Sequence, residues 1–361
     1  MSEIDNHLSK KYDVHKRLGK GAYGIVWKAK SRRSGRIVAI KKIFDAFRNR
    51  TDAQRTFREI IFLKEFNNHP NIIRLLNVHK ADNDRDLYLV FEYMSTDLHH
   101  VIRKGNILRD IHKEYIMYQL FQATAYIHSG NVIHRDQKPS NILLDSECRC
   151  KIADFGLARS LSSTELEENQ DCLTDYVATR WYRAPEILLG YQKYTKGVDM
   201  KIHTMDQIEH IARLLGNSQL LKLKKICSSQ TAQLVGKMIS KHSVSKWSST
   251  IKEKYPEGID LLQKLLLVTP DDRITAPEAI KHKYVTKFFI IKNMTTTSTT
   301  MSFRHSMTMF SSRWISIDVN YMISLKVIKQ TKGCEKLAHA FFREEILSQI
   351  DGAINYGYPH S

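Results

Sequence analysis

Within ten residues, Val132-Ile133-His134-Arg135-Asp136-Gln137-Lys138-Pro139-Ser140-Asn141, a short apolar run delivers a carboxylate, a cation and an amide. That grouping suits phosphoryl transfer, where a protein contributes positioning and charge more than covalent chemistry. Asp136 can accept the proton of an attacking hydroxyl. Lys138 can neutralise phosphate charge, and Asn141 can hold a metal ion. Thirteen residues further on, Asp154-Phe155-Gly156 offers a second carboxylate for the same magnesium. Each of these short pieces alone also reads as a solvated loop; it is their common register that singles them out.

These residues need elements to hold them and a nucleotide to act on. Around Tyr12–Leu18 and Ile25–Lys30, apolar and polar positions partly alternate, which predicts two strands joined by Gly19-Lys20-Gly21-Ala22-Tyr23-Gly24. Such a glycine run often marks a dinucleotide site. Here a strand follows it and no ribose-binding acid stands at the required distance, which argues against that reading. Glycines let a backbone close over phosphates with no side chain in the way. Val26 is placed to cover an adenine. The β-branched strand Val38-Ala39-Ile40-Lys41 then ends in a lysine able to reach the phosphates.

A helix is predicted over residues 52–66, with Glu59 as the partner of Lys41. Leu87–Phe91 reads as a buried strand and Glu92-Tyr93-Met94 as a connector whose backbone groups can bond adenine. Asp97 can bond a ribose hydroxyl or cap the helix that follows. Residues 113–129 carry a broad apolar stripe, the mark of a core helix. Residues 157–186 are polar and loop-like, and a loop of that length in a compact domain is usually functional.

At 361 residues the chain can hold one large domain or two. Its net charge of +18 is spread along the chain and not gathered in a tail. With no nucleic-acid motif beside it, that charge reads as a basic surface. Five cysteines without repeated spacing do not form a disulfide framework, and Cys148-x-Cys150 lacks a second pair for zinc. Reduced thiols fit a cytoplasmic or nuclear location. The polar start Met1-Ser2-Glu3-Ile4-Asp5 is no signal peptide, and no apolar run approaches a membrane span.

Together the motifs resemble the eukaryotic protein kinases. Thr174-Asp175-Tyr176, followed by Val177-Ala178-Thr179-Arg180-Trp181-Tyr182-Arg183-Ala184-Pro185-Glu186, is similar to the loop of the mitogen-activated protein kinases. Gln137, where most kinases have leucine, points to an atypical branch of that family. The resemblance covers residues 12–200 almost without gaps, resumes weakly at 204–215 and is clear again at 255–285.

It implies an α+β, bilobal protein-kinase fold with a domain over residues 12–288: a β-rich N-lobe (12–94) and a helical C-lobe (95–288). The activity implied is transfer of the γ-phosphate of ATP, with Mg2+, to Ser/Thr of protein substrates, at sites preceding proline. Leu18, Gly19, Lys20, Gly21, Ala22, Tyr23, Gly24, Ile25, Val26, Ala39, Lys41, Phe91, Glu92, Met94 and Asp97 would contact the nucleotide, Phe91 as gatekeeper. Asp136 would be the base, Lys138 the γ-phosphate contact, and Asn141 and Asp154 the magnesium ligands, with Thr179 bracing Asp136 and Lys138. Thr174 and Tyr176 would be phosphorylated, by an upstream kinase or by the chain itself. Arg58, Arg135 and Arg159 would receive the first of these phosphates, Arg180 and Arg183 the second.

One departure is large. Where the family continues from Asp199 into a buried hub helix, whose first carboxylate bonds the backbone near His134-Arg135, Asp199-Met200 runs straight into Lys201-Ile202-His203. The C-lobe is therefore expected to be incomplete. The competing reading is a catalytically impaired splice or gene-model variant that binds nucleotide or acts as a scaffold. Residues 289–361 match no kinase tail, and a short helix is expected near 336–350.

Overall fold

The computed structural model describes residues 4–21, 24–161, 195–200, 217–226, 232–233, 236 and 256–296. Among them the chain forms two compact units, one of residues up to Asn68 with Ile73–Met94, the other of His69–Ile72 with residues from Ser95 onward.

The first unit begins with a short helix, α1 (Asn6–Ser9), and three strands: β1 (Tyr12–Gly21), β2 (Gly24–Ser31) and β3 (Ile37–Ile43). Helix α2 (Arg50–Glu65) and strands β4 (Leu75–Lys80) and β5 (Leu87–Glu92) complete it. The sheet is antiparallel throughout, in the order β1-β2-β3-β5-β4. Period-two alternation sorts its side chains. Ile25, Trp27, Ala29, Val38, Ile40, Tyr88 and Val90 pack on one face with Ile4, Leu8 and Tyr12. Gly19, Val26, Lys41 and Leu89 stand opposite one another across four strands and belong to the other face.

The glycine run is less of a loop than expected. Gly19, Lys20 and Gly21 lie within β1, and Gly24 opens β2 as the ladder partner of Gly21. At Gly24 a Cβ would collide with the carbonyl oxygen of Lys42, so only glycine fits. Ala22 and Tyr23 lie outside the described residues. Helix α2 starts two residues earlier than expected because Asn49 caps it, accepting from the Asp52 N–H at 2.9 Å, a contact worth about 1 kcal/mol.

The second unit opens with β6 (Thr96–Asp97), α3 (Leu98–Lys104) and the long α4 (Asp110–Ser129). Then come β7 (Val132–Ile133), β8 (Ile142–Leu144), β9 (Cys150–Ile152) and β10 (Arg159–Ser160). The strands form two small sheets, β10-β7 and β6-β8-β9. Helices α5 (Asn217–Ile226), α6 (Pro256–Leu266), α7 (Ala276–Ile280) and α8 (Thr286–Thr296) follow.

Tyr118 and Phe121 of α4 build a core with Met200, Leu261, Leu265, Ala276, Ala279 and Val285. Phe288 of α8 closes it, 5.2 Å from the ring of Tyr115 and 5.8 Å from that of Tyr118. The helix expected at 113–129 thus begins three residues sooner. Helix α8 runs past the expected domain end at 288 and into the threonine-rich stretch. The loop residues 162–186, the segment 201–216 that follows Met200 and the helix expected near 336–350 lie outside the described residues.

Candidate active site

In the first unit, the Lys41 ammonium meets the Glu59 carboxylate at 2.6 Å, joining β3 to α2. The Glu59 side chain is 6% exposed and that of Lys41 28% exposed, so the lysine keeps an open side while its partner is enclosed. A buried glutamate needs such a partner, since desolvating an unpaired carboxylate is costly. Val26 pairs with Lys41 in the ladder, and Ala39 pairs with the buried Phe91. Leu18 is exposed, and Ile25, by contrast, faces the opposite core. Glu92 ends β5 and accepts from the Arg74 N–H at 2.8 Å, and half-buried Met94 closes the unit.

In the second unit, the loop after β7 folds around Asp136. The Lys138 ammonium lies 2.8 Å from Asp136 Oδ2. The Asn141 amide donates to the same oxygen and to the Asp136 carbonyl, both at 3.0 Å. Asp136 is buried, and its Oδ1 takes none of these bonds. The carboxylate therefore has one oxygen fixed and one available for a hydroxyl. Asn141 gives both of these bonds through its nitrogen, which turns the amide oxygen away as a hard donor of the kind Mg2+ takes.

Asp154 follows β9 in a left-handed conformation, φ 67°. Arg135 is also left-handed, at φ 66°. Strain of this kind costs about 1–3 kcal/mol per residue and gathers where a site demands a special geometry.

The residue that ties these pieces together is His134, which is fully buried. Its Nδ1 accepts from the Asp136 N–H at 3.2 Å, and its Nε2 lies 3.2 Å from the Ala153 carbonyl. These bonds assign the ring proton to Nε2. The imidazole thereby links the backbone of Asp136 to the residue before Asp154. Phe155 packs edge-on against it, ring centres 4.8 Å apart.

The same loop hangs from Asp199. Its carboxylate accepts from the His134 N–H at 2.7 Å and the Arg135 N–H at 2.8 Å, and from His128 Nε2 at 2.9 Å. Burial alone would raise this carboxyl. The hydrogen bond and charge of His128 and the backbone N–H of His134 outweigh burial and hold it below the usual carboxylate range. Arg273 fixes the turn carrying Asp199 through the Gly197 carbonyl.

Sequence reasoning placed Asp199 at the start of a missing helix but gave no role to His128 or to the His134 ring. Both contacts cross about 65 residues of sequence or involve a histidine on an apolar helix, where periodicity reads only packing. Asp199→Asn is expected to destabilise the second unit by about 3–5 kcal/mol at pH 7, the cost of breaking a buried charged network. Because the folded carboxyl is depressed, its contribution is complete above the ordinary carboxylate value near 3.9. It fades as pH falls toward the folded value. Urea melts of both proteins at pH 7 and at pH 3 check this; equal midpoints at pH 7 would contradict it.

Asp97, left open between two roles, caps α3 here: its carboxylate takes the His100 N–H at 2.9 Å and the His100 ring at 2.6 Å. Pairing of β10 with β7 puts Arg159 opposite Ile133, two residues before Arg135. Arg58 lies on α2 in the first unit. Thr174, Tyr176, Thr179, Arg180 and Arg183 lie outside the described residues.

Residues 12–285 match the family model of the protein kinase domain. Mitogen-activated protein kinase 15 of Xenopus laevis is 56% identical over 309 residues, covering 79% of this chain and 52% of the relative. Extracellular signal-regulated kinase 7 of Drosophila melanogaster is 50% identical over 309 residues, covering 80% and 34%. Extracellular signal-regulated kinase 2 of Dictyostelium discoideum is 53% identical over 309 residues, covering 79% and 82%. The chain thus spans about half the length of the Xenopus relative and a third of the Drosophila one. With a β-sheet unit bearing the Lys41–Glu59 pair and a helical unit bearing the Asp136 loop, the chain belongs to the protein kinases, in the mitogen-activated family and on its atypical kinase-15 branch.

Proposed function

We propose that this chain is an ATP-dependent serine/threonine protein kinase that phosphorylates protein substrates at Ser/Thr before proline. The observation that carries this reading is the Asp136 carboxylate, with one oxygen held by Lys138 and Asn141 and the other open. Kinship with kinases that cover most of the described chain favours the enzyme over a purely scaffolding protein.

In the first unit, Gly19–Gly24 lies over the nucleotide phosphates and Lys41, oriented by Glu59, contacts them. Leu18, Val26 and Ala39 enclose the base, Phe91 guards its pocket, and the backbone of Glu92–Met94 bonds it; Ile25, packed in the opposite core, is not among these contacts. Asp97 caps α3 and is near enough in sequence to meet a ribose. In the second unit, Asp136 orients the substrate hydroxyl and accepts its proton as attack proceeds. Lys138 balances charge on the transferring phosphoryl group and Thr179 braces the pair. Asn141 and Asp154 would hold Mg2+, which when bound neutralises phosphate charge. The domain runs over residues 12–288, and a cytoplasmic or nuclear location goes with the reduced thiols.

Thr174 and Tyr176 are the regulatory acceptors. A phosphate at 174 would draw on Arg135 and Arg159 through charge-assisted hydrogen bonds. The test supplies the purified chain with ATP and paired Ser-Pro and Ser-Ala peptides, with mass spectrometry of the chain itself. Expected are transfer to the Ser-Pro peptide alone and phosphate on Thr174 and Tyr176 that Asp154→Ala abolishes. Equal labelling of the two peptides would refute proline direction. Undiminished loop phosphate in Asp154→Ala would refute self-phosphorylation as the necessary route.

A further inference from the structure

The hairpin joining β2 to β3 reads Lys30-Ser31-Arg32-Arg33-Ser34-Gly35-Arg36 and takes no part in the phosphoryl-transfer machinery. Its backbone is closed by Gly35 N–H to Ser31 O at 2.8 Å and Ser31 N–H to Arg36 O at 2.9 Å. Gly35 turns the corner at φ 68°, which only glycine adopts without strain. Ser34 stands exposed at the tip.

The fold adds cations from elsewhere. The Arg32 N–H bonds the Lys11 carbonyl at 2.9 Å and the Arg32 side chain bonds the Ser9 carbonyl at 3.2 Å, which brings Lys10 and Lys11 to the same end of the sheet. Against these stands Asp13, 3.7 Å from Arg32, in a pair where both side chains are 57% exposed. A pair so exposed offsets little. Among the described residues, Lys10, Lys11, Arg33 and Arg36 enter no ion pair. The tip is thus a serine hydroxyl set among uncompensated cations.

We propose that Ser34 is a phosphorylation site for a separate serine/threonine kinase whose acidic subsites grip arginine on both sides of the acceptor. Arg32 and Arg36 stand two residues before and two after it. Gly35 follows the serine, so the proline-directed chemistry proposed for this chain does not suit it, and modification comes from another enzyme. Ser34 Oγ attacks the γ-phosphorus of ATP, the bond to the β-phosphate oxygen breaks, ADP leaves, and the hydroxyl proton passes to the carboxylate base of the modifying kinase. The tip can enter such a site because few backbone bonds hold the turn closed. The new dianion then has Arg32, Arg33 and Arg36 as partners, and the cationic tip loses its charge excess.

The test uses the full 361-residue chain carrying Asp154→Ala, so that its own activity cannot label it, and is therefore independent of the function proposed above. Protein kinase C, as a basophilic probe, and a proline-directed kinase are each supplied with ATP, and Ser34 occupancy is read by mass spectrometry. Expected is phosphate on Ser34 with the basophilic enzyme and none with the proline-directed one. Arg32→Ala with Arg36→Ala should cut the rate about tenfold or more, as loss of two charged contacts implies. The Arg→Lys pair should restore most of it. These exposed turn positions carry no core contact, and circular dichroism confirms that the variants stay folded. No phosphate on Ser34 with the basophilic enzyme, or equal labelling of the alanine pair, would overturn the proposal.

Discussion

Asp136→Asn is expected to lower the rate of phosphate transfer by about 10²–10⁴ while ATP affinity stays close to that of the parent. The amide has almost the shape of the carboxylate, so the bonds to Lys138 and Asn141 can largely persist. What disappears is a basic oxygen for the hydroxyl proton and a full negative charge opposite Lys138. Because ATP is assigned to Lys41, the glycine strands and Lys138, nucleotide binding measured by calorimetry should hardly move. A fall in kcat with unchanged ATP affinity is the signature of an interaction made in the transition state. A variant that turned over like the parent would remove Asp136 from the role of base.

The second large effect concerns the chain after Met200. Met200 is buried in the core with Tyr118, Phe121, Leu261 and Leu265, and Asp199 is enclosed by its three donors. The resemblance implies that these residues open a long helix supporting the catalytic loop, and that the chain passes from Met200 to Lys201 without it. Each large apolar side chain left uncovered loses about 1.5–3 kcal/mol of burial. A domain has only about 5–15 kcal/mol of net stability. Inserting the helix with its following loop is therefore expected to raise the thermal midpoint of the second unit and to increase kinase activity about tenfold or more. Differential scanning calorimetry and peptide phosphorylation of both forms check this. A cooperative melt and full activity in the 361-residue form, with no gain on insertion, would contradict it.

How much of this could be read in advance follows from distance along the chain. The Asp136–Asn141 cluster was legible because its members are contiguous, and Lys41 because a β-branched strand led into it. Glu59 was a candidate partner because a strand lysine stands upstream of its helix, and the 2.6 Å contact is there. The support behind the loop was legible only in part. The resemblance implied that the Asp199 carboxylate bonds the backbone near His134-Arg135, and it accepts from both N–H groups. His128, its third donor, looks from sequence like one more residue on an apolar helix.

Another network stayed hidden for the same reason. Gln119, within the stretch read only as a core helix, bonds Asn71 at 2.9 Å and the Cys150 N–H at 3.0 Å, and so ties α4 to the edge of β9. Buried amides of this kind are required by the backbone groups they satisfy, which periodicity cannot reveal. The glycine run was misplaced because ladder pairing needs no side chains and carries both strands to Gly21 and Gly24.

The central claim is that phosphate leaves ATP for a Ser/Thr hydroxyl with Asp136 as the base, on a loop hung from His134 and Asp199. It is tested most directly by single-turnover transfer of labelled γ-phosphate to a Ser-Pro peptide, in the 361-residue chain and in its helix-restored form, each with and without Asp136→Asn. The account predicts transfer that is slow in the first and fast in the second, and that falls about 10²–10⁴-fold in each when Asp136 is replaced. Transfer that survives the replacement in both forms would contradict it.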